Sequence, residues 1–254
     1  MERLLTTTGR FCPFGCRYCF AASPSYQPFL NLVEVTKLQE IIAGYEYIQL
    51  ACDTELFLNP PEALRLLREV VEANQNVSFI TKMALSDRLI EKIALVGQEA
   101  KLKGLIVSGS ISLTSLDSVA QYEPYCATPE QRINTLKNLY HSGIHTRVAL
   151  RPLIPSVSLD ELLELVDLTL PYTYGYYSGP LWLERLNQEM VSPGTVISKR
   201  PVSWMAGNPR WYCLEHPQKQ QALAEYIQQR GSKLYQSSVE AIAATQFQYL
   251  AKVS

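Results

Sequence analysis

Short apolar stretches rich in β-branched residues alternate with helix-like segments along residues 3–183 of this 254-residue chain. That alternation is typical of a parallel sheet whose strands are joined by crossover helices. Because such crossovers are right-handed as a rule, six of these βα units predict a partial, TIM-like (βα)6 barrel. The predicted strands cover 3–8, 47–51, 77–81, 104–113, 144–150 and 174–183.

The helices between these strands are predicted at 33–45, 61–74, 87–101, 129–142 and 158–170. Their ends carry recognisable signals: Ser86 and Thr128 are suitable N-caps, Pro129 suits the first helical position, and Gly143 suits a stop. Residues 184–254 contain two further predicted helices, at 218–230 and 239–251. We expect 1–183 to form the barrel core and 184–254 to be a short C-terminal helical extension packed on it.

Composition narrows the class of protein. Charged residues make up 19% and hydrophobic residues 47%, which argues against a disordered chain, and no apolar run reaches the about 18–20 residues of a membrane-spanning helix. The net charge of −1 does not favour nucleic acid as a partner, although a local basic patch stays possible. The six cysteines have no even spacing, which favours a reducing, cytoplasmic location.

Half of those cysteines lie in one short motif directly after the first predicted strand. Cys12, Cys16 and Cys19 have the spacing C-x3-C-x2-C, with the small Gly15 between the first two. Three thiolates can hold three irons of a 4Fe–4S cluster and leave the fourth iron open to another ligand. A zinc site would need a fourth protein ligand, and none follows at a zinc-finger interval, so zinc would have to borrow a distant Cys or His.

This motif, with the aromatic Tyr18 before its last cysteine, resembles the signature of the radical S-adenosylmethionine (radical SAM) superfamily. The resemblance implies an enzyme with two cofactors, a 4Fe–4S cluster and SAM. In that family the cluster delivers an electron that cleaves SAM, and the resulting 5′-deoxyadenosyl radical takes a hydrogen atom from the substrate. It also implies an open (βα)6 barrel and an electron donor such as flavodoxin or ferredoxin.

The C-terminal ends of the strands are the expected place for the chemistry of a βα fold. After the second strand, Asp53, Thr54 and Glu55 stand where family members usually have a Gly-Gly-Glu-Pro-like stretch. This variant resembles relatives of spore photoproduct lyase, and its oxygens suit the amine of SAM. The alternative is that Asp53 and Thr54 cap the next turn.

Three further strand ends carry polar side chains. Lys82 follows the third strand, Ser112 ends the fourth and Arg151 ends the fifth. The same resemblance assigns Lys82 to the carboxylate or ribose of SAM, Ser112 to SAM, and Tyr18 to the adenine. The guanidinium of Arg151 suits a carboxylate of SAM or of the substrate. The alternatives are plain packing for Tyr18, a side chain that reaches solvent for Lys82, and stabilisation of the loop for Arg151.

Several other residues leave two interpretations open. Ser108 and Ser110 share the parity of Ser112, so all three serines face the same side of their strand. Glu123 pairs with Arg132, as in the resembling branch, or Arg132 lies on a solvated helix face. Cys213 is a candidate hydrogen-atom donor, or a buried cysteine that only packs.

The sequence therefore favours a radical SAM enzyme that acts on a small-molecule, peptide or nucleotide substrate. Its first alternative is an enzyme that, like spore photoproduct lyase, acts on a nucleic-acid lesion or a modified nucleotide. Its second is a non-catalytic Fe–S or zinc-binding regulatory module, and a small zinc-dependent RNA binder is a third. The polar strand ends argue against the regulatory module, since it does not need Lys82, Ser112 and Arg151 around one mouth, and the zinc-dependent RNA binder would need a fourth ligand.

Overall fold

A computed structural model of the protein describes residues 3–24, 26–27, 30–31, 44–205 and 207–253. The helix predicted at 33–45 lies almost wholly outside these residues. The described residues form eleven strands and seven α-helices. The strands are β1 (Arg3–Thr7), β2 (Leu30–Asn31), β3 (Tyr47–Leu50), β4 (Asn76–Thr81), β5 (Val107–Ser112), β6 (His145–Leu150), β7 (Tyr176–Ser178), β8 (Leu181–Leu183), β9 (Val196–Pro201), β10 (Arg210–Glu215) and β11 (Leu234–Tyr235).

Eight strands form one sheet in the order β11-β7-β6-β5-β4-β3-β1-β2, and every pairing in it is parallel. In the part of the chain that the structure describes, no pairing joins the edge strands β2 and β11, so the barrel is open. The predicted partial barrel is therefore confirmed, with two short edge strands that the sequence did not reveal.

The helices begin and end close to the predicted positions. Thr128 forms a capping box with Gln131, and Ser158 accepts from the N–H of Glu161, whereas Ser86 stands at an N-cap without a side-chain hydrogen bond. The helices are α1 (Pro60–Glu72), α2 (Asp87–Leu102), α3 (Val119–Tyr122), α4 (Pro129–His141), α5 (Leu159–Thr169), α6 (Pro217–Gln229) and α7 (Ser238–Val253). Among the described residues, no helix combines the length and apolarity needed to cross a bilayer.

The C-terminal third departs from the sequence prediction. The single strand predicted at 174–183 is wrong in its second half, because only β7 belongs to the parallel sheet. The strand is interrupted at Gly179 and Pro180, and β8 belongs to a separate antiparallel sheet in the order β8-β10-β9. The two helices predicted in the tail are confirmed as α6 and α7. The division at residue 183 stays a prediction.

The inner face of the parallel sheet is polar and buried. Ser110 lies beside Arg147 in register, Ser108 hydrogen-bonds the hydroxyl of Tyr47 at 2.6 Å, and Gln49 lies on β3, two strands from Ser108. Only 2% of Arg147 is exposed. Small hydroxyls on this face leave room inside the open barrel, as the parity of the three serines predicts.

Gly109 on β5 offers a test of how tightly the outer face packs. A Cβ at this position would lie 2.6 Å from Cζ of Phe79, which is itself buried. We therefore expect Gly109→Ala to lower the free energy of unfolding by about 1–3 kcal/mol through overpacking. Urea unfolding would measure this, with Gly44→Ala as the control, since a Cβ there meets nothing within 4 Å. Equal effects of the two substitutions would contradict the packing argument.

Candidate active site

A cavity of about 310 Å³ lies inside the open barrel toward the C-terminal ends of its strands. All the residues that the sequence assigned to the cluster and to SAM line this one cavity. They are Cys12, Cys16, Tyr18, Cys19, Asp53, Thr54, Glu55, Lys82, Ser112 and Arg151. The parallel topology therefore brings together groups that are as much as 139 residues apart (Cys12 to Arg151, 151 − 12 = 139).

The cysteine loop wraps tightly after β1. Gly15 has a φ of +59°, a left-handed conformation that favours glycine, and a Cβ there would lie 3.0 Å from the ring of Tyr125. The N–H of Arg17 donates to the carbonyl of Tyr122 at 2.9 Å. The loop is thus anchored against the segment that follows β5, which holds the three thiols along one wall of the cavity.

The thiol of Cys16 has two partners that favour its ionised form. Cys126 Sγ lies 3.7 Å from Cys16 Sγ, and Lys82 Nζ lies 3.5 Å from it. The hydrogen bond from Cys126 and the charge of Lys82 lower the pKa of Cys16 to about 6, against the opposing effect of burial. Burial raises the pKa of Cys12 and of Cys19. Cys16 is therefore the thiolate best prepared for iron at neutral pH.

The donor set fits a 4Fe–4S cluster. Each thiolate of such a cluster binds a different iron, so its ligands need not converge on one point. Within the described ranges, no three His, Cys, Asp or Glu side chains are close enough together to hold a single metal ion. Cys126, which sequence reasoning missed, adds a fourth sulfur at the site from 110 residues away, and no local spacing signals it.

A buried ionic network stands behind the cysteine loop. Glu123 receives a hydrogen bond from the hydroxyl of Tyr18, lies 3.3 Å from Lys82 Nζ, and pairs with Arg132 at 2.6 Å. Lys82 also donates to the Tyr18 hydroxyl at 2.6 Å. Burial opposes the charge on Glu123, but Lys82 and Arg132 outweigh it and lower the pKa of Glu123 to about 2.

This network decides one of the open alternatives. Arg132 is fully buried and also donates to the carbonyl of Ser112 at 2.8 Å, so the predicted pair with Glu123 is confirmed and the solvated helix face is wrong. Burial opposes the charge on Lys82 too, yet Tyr18, Glu123 and Cys16 together raise its pKa well above the ordinary value. Lys82 is therefore a permanent cation at the cavity wall, and the alternative of a lysine reaching solvent does not apply.

The two acids after β3 have different surroundings. Glu55 accepts from Thr81 Oγ1 at 2.8 Å and from the N–H of Lys82 at 3.0 Å, so its carboxylate ties two strand ends together. Asp53 accepts from the hydroxyl of Tyr26 through one oxygen, while its Oδ1 is buried without a partner. Thr54 hydrogen-bonds Thr8 at 2.9 Å. Asp53 is thus the acid with acceptor capacity left for an ammonium group.

Ser112 and Arg151 complete the wall with unused donors. Ser112 Oγ is buried and has no hydrogen-bond partner. Arg151 has no carboxylate within ion-pair distance among the described residues, and burial lowers its pKa. Gly179 leaves space for its guanidinium, since a Cβ there would lie 3.1 Å from Nε. An acceptor at Asp53 and donors at Ser112 and Arg151 match the amine and carboxylate of an amino acid such as the methionyl part of SAM.

Comparison with known proteins agrees with this geometry. The family model of the radical SAM superfamily matches residues 6–169, which is more than half of the chain. The chain belongs to the radical SAM superfamily. Members of this superfamily are enzymes that use a 4Fe–4S cluster and SAM, so the expected family, enzyme class and cofactors are confirmed at that level.

Solved structures share the fold at low sequence identity. Streptococcus suis SuiB bound to S-adenosylmethionine is 16% identical with a TM-score of 0.63, over 93% of this chain and 50% of SuiB. A spore photoproduct lyase mutant with dinucleoside spore photoproduct is 14% identical with a TM-score of 0.65, over 91% of this chain and 75% of the lyase. The radical SAM methyltransferase TsrM from Kitasatospora setae is 13% identical with a TM-score of 0.54, over 89% of this chain and 50% of TsrM.

These likenesses establish the radical SAM fold alone. The chain spans about half the length of SuiB and of TsrM. A search of curated proteins by sequence gave no match.

Two cysteines outside the motif differ in their relation to this radical SAM cavity. Cys213 is fully buried on β10, opposite Trp182, and is not among the residues that line the cavity, although Trp182 is. Cys52 does line it, and its thiol donates to the carbonyl of Gln49 at 3.2 Å. Burial raises the pKa of Cys52 to about 12, so this thiol keeps its hydrogen. Cys52 directly precedes Asp53 in the sequence, but nothing in its spacing marked it as a functional residue.

Proposed function

We propose that this chain is a radical SAM enzyme that holds a 4Fe–4S cluster on Cys12, Cys16 and Cys19 and binds SAM across the ends of β3 to β6. The observation that carries the proposal is the convergence of the three thiols and the polar strand ends on one cavity. When bound, the cluster supplies the electron that cleaves SAM and yields the 5′-deoxyadenosyl radical.

The roles of the side chains follow from their free donors and acceptors. Asp53 accepts from the amine of SAM through its unpartnered oxygen, and Arg151 pairs with the carboxylate. Ser112 supplies a further hydrogen bond. Glu55 and Thr54 hold the loop after β3, and Tyr18 packs beside Lys82 where the resemblance expects the adenine.

The test is anaerobic reconstitution of the protein with iron and sulfide, reduction with dithionite, and chromatography for 5′-deoxyadenosine released from SAM. We expect an absorbing 4Fe–4S cluster and steady release of this nucleoside. A well-formed cluster that neither binds nor cleaves SAM would support the non-catalytic module instead. A colourless protein that holds zinc would support the zinc-binding alternatives.

The substrate proposed from the sequence is a small molecule, a peptide or a nucleotide, and the electron donor is a flavodoxin or ferredoxin in the cytoplasm. One SuiB structure contains the precursor peptide SuiA, and one lyase structure contains a dinucleoside spore photoproduct. A lyase-like reaction on a nucleic-acid lesion is the second candidate, favoured by the similar fold. The net charge of −1 speaks against a nucleic-acid duplex.

Arg151 provides a prediction about SAM. We expect Arg151→Ala to leave the cluster intact and to weaken SAM binding about tenfold to a hundredfold, the loss expected for hydrogen bonds to a charged group. Equilibrium binding of SAM to the reconstituted protein would measure this, with Arg200→Ala as the control because Arg200 forms an exposed pair with Glu215. Unchanged SAM affinity in Arg151→Ala would leave Arg151 a structural residue.

Cys52 provides a prediction about hydrogen transfer. In D2O its thiol exchanges its proton for deuterium. When no substrate is present, we expect the S–D bond to break and the deuterium atom to form a C–D bond with the 5′-deoxyadenosyl radical, and dithionite then reduces the thiyl radical left on Cys52. Mass spectrometry should then find deuterated 5′-deoxyadenosine from the wild type and from Cys213→Ala, but not from Cys52→Ala. Loss of deuterium in Cys213→Ala alone would restore Cys213 as the donor.

A further inference from the structure

Three arginines converge on the inner face of the barrel, in what we call the arginine floor: Arg3 on β1, Arg147 on β6 and Arg151 just after β6. Arg147 and Arg151 are separated by an even number of residues along β6 and its continuation, so their side chains face the same side of the sheet. The hydroxyl of Tyr177 is close enough to all three guanidinium groups to feel their charges. Arg3, Arg151 and Tyr177 line the cavity, whereas Arg147 is buried in the sheet and is not among the lining residues.

The floor has positive charge without a protein counter-charge. In the part of the chain that the structure describes, none of the three arginines has a carboxylate within ion-pair distance. The ionisable groups that face them are the phenols of Tyr47, Tyr177 and Tyr235 and the thiol of Cys52, all of which burial keeps protonated by raising their pKa.

Donors on the floor also remain unused. Arg147 Nη2 is buried without a hydrogen-bond partner. Arg3 uses Nη1 for Gln49 at 2.8 Å and for Ser238 at 2.5 Å, both neutral acceptors. Arginine is almost never buried unless it is paired, because an uncompensated buried charge costs several kcal/mol. The acids that line the cavity do not supply the charge, since among the described residues neither Asp53 nor Glu55 forms an ion pair with an arginine.

We infer that the arginine floor binds a phosphate group of the substrate. The inference rests on the proposed function, in which Arg151 pairs with the single negative charge of the SAM carboxylate. The positive charges of Arg3 and Arg147 then remain without a partner, and together they match the two negative charges of a phosphate monoester. The planar guanidinium of Arg3 lines the cavity and suits the phosphate oxygens in bidentate fashion, the buried Arg147 adds its charge from within the wall, and the Tyr177 hydroxyl is a neighbouring donor.

Inorganic phosphate is the probe that tests this site. Calorimetric titration of the cluster-free protein at constant ionic strength should show phosphate binding, and saturating SAM should not abolish it. We expect Arg3→Gln to weaken phosphate binding about tenfold to a hundredfold. The control is Arg65→Gln, because Arg65 forms an exposed pair with Glu69 on α1 and should bind phosphate like the wild type. Absence of phosphate binding to the wild type would overturn the inference.

Thermal unfolding separates a ligand-binding arginine from a structural one. In phosphate-free buffer Arg147→Met should raise Tm, because it replaces an uncompensated buried charge by an apolar side chain of similar length. Phosphate should raise the Tm of the wild type and leave that of Arg147→Met unchanged. A lower Tm for Arg147→Met without phosphate, together with an undiminished response to phosphate, would overturn the inference.

Further results distinguish the phosphate site from a carboxylate site and from the proposed function. Acetate that stabilises the protein as strongly as phosphate would overturn the phosphate assignment in favour of a carboxylate. Phosphate binding in a protein that forms no 5′-deoxyadenosine would support the floor while refuting the proposed function. SAM cleavage without phosphate binding would do the opposite.

Discussion

Cys16→Ala is expected to abolish both the 4Fe–4S cluster and the cleavage of SAM. Cys16 lies at the centre of the cysteine motif, and its partners Cys126 and Lys82 lower its pKa to about 6, so it is ionised when iron arrives. Without it, only two thiolates of the motif remain for four irons. Iron and sulfide content, the visible absorption of the cluster and the yield of 5′-deoxyadenosine after anaerobic reconstitution would measure the loss.

The neighbouring Cys126 supplies the matched control. Cys126→Ala removes a sulfur 3.7 Å from Cys16 and leaves the three motif cysteines in place, so the cluster should persist. Cys126 is near enough to Cys16 to replace it as a ligand. If Cys16→Ala keeps some cluster, the double variant Cys16→Ala/Cys126→Ala removes this substitute. Full SAM cleavage by that double variant would refute the assignment of the cysteines.

The cluster motif and most of the cavity were predictable because their signals are local. The three cysteines are close in sequence, and each polar strand end follows a recognisable β-stretch. Parallel strands carry their C-terminal ends to one edge of a sheet. Lys82, Ser112 and Arg151 therefore line the same cavity although the sequence places them far apart.

What the sequence did not reveal depends on contacts between distant segments. Cys126 reaches Cys16 because the segment after β5 folds over the cysteine loop. Glu55 has the residue type of a SAM ligand, yet its hydrogen bonds to Thr81 and Lys82 hold the scaffold together. Strand β9 is largely exposed, so it lacks the apolar alternation that would mark a strand.

Glu123→Gln is expected to lower the free energy of unfolding by about 3–5 kcal/mol, the cost of breaking a buried ion pair from one side. Glu123 and Arg132 are both buried and lie 2.6 Å apart, and Glu123 also lies 3.3 Å from Lys82 Nζ. The glutamine keeps the shape of the side chain but leaves two cations without a counter-charge. Urea unfolding of the cluster-free protein at neutral pH would measure the loss.

The pH dependence of the same equilibrium identifies the carboxylate as the cause. Because the pKa of Glu123 falls from its ordinary 4.5 to about 2, its contribution is present above pH 4.5 and is lost as the pH falls toward 2. The difference in stability between the wild type and Glu123→Gln should therefore shrink over that interval. Glu215→Gln is the control, since its exposed pair with Arg200 contributes about 0–1 kcal/mol. Equal losses for the two variants at neutral pH would mean that the Glu123 network does not stabilise the wall behind the cysteine loop.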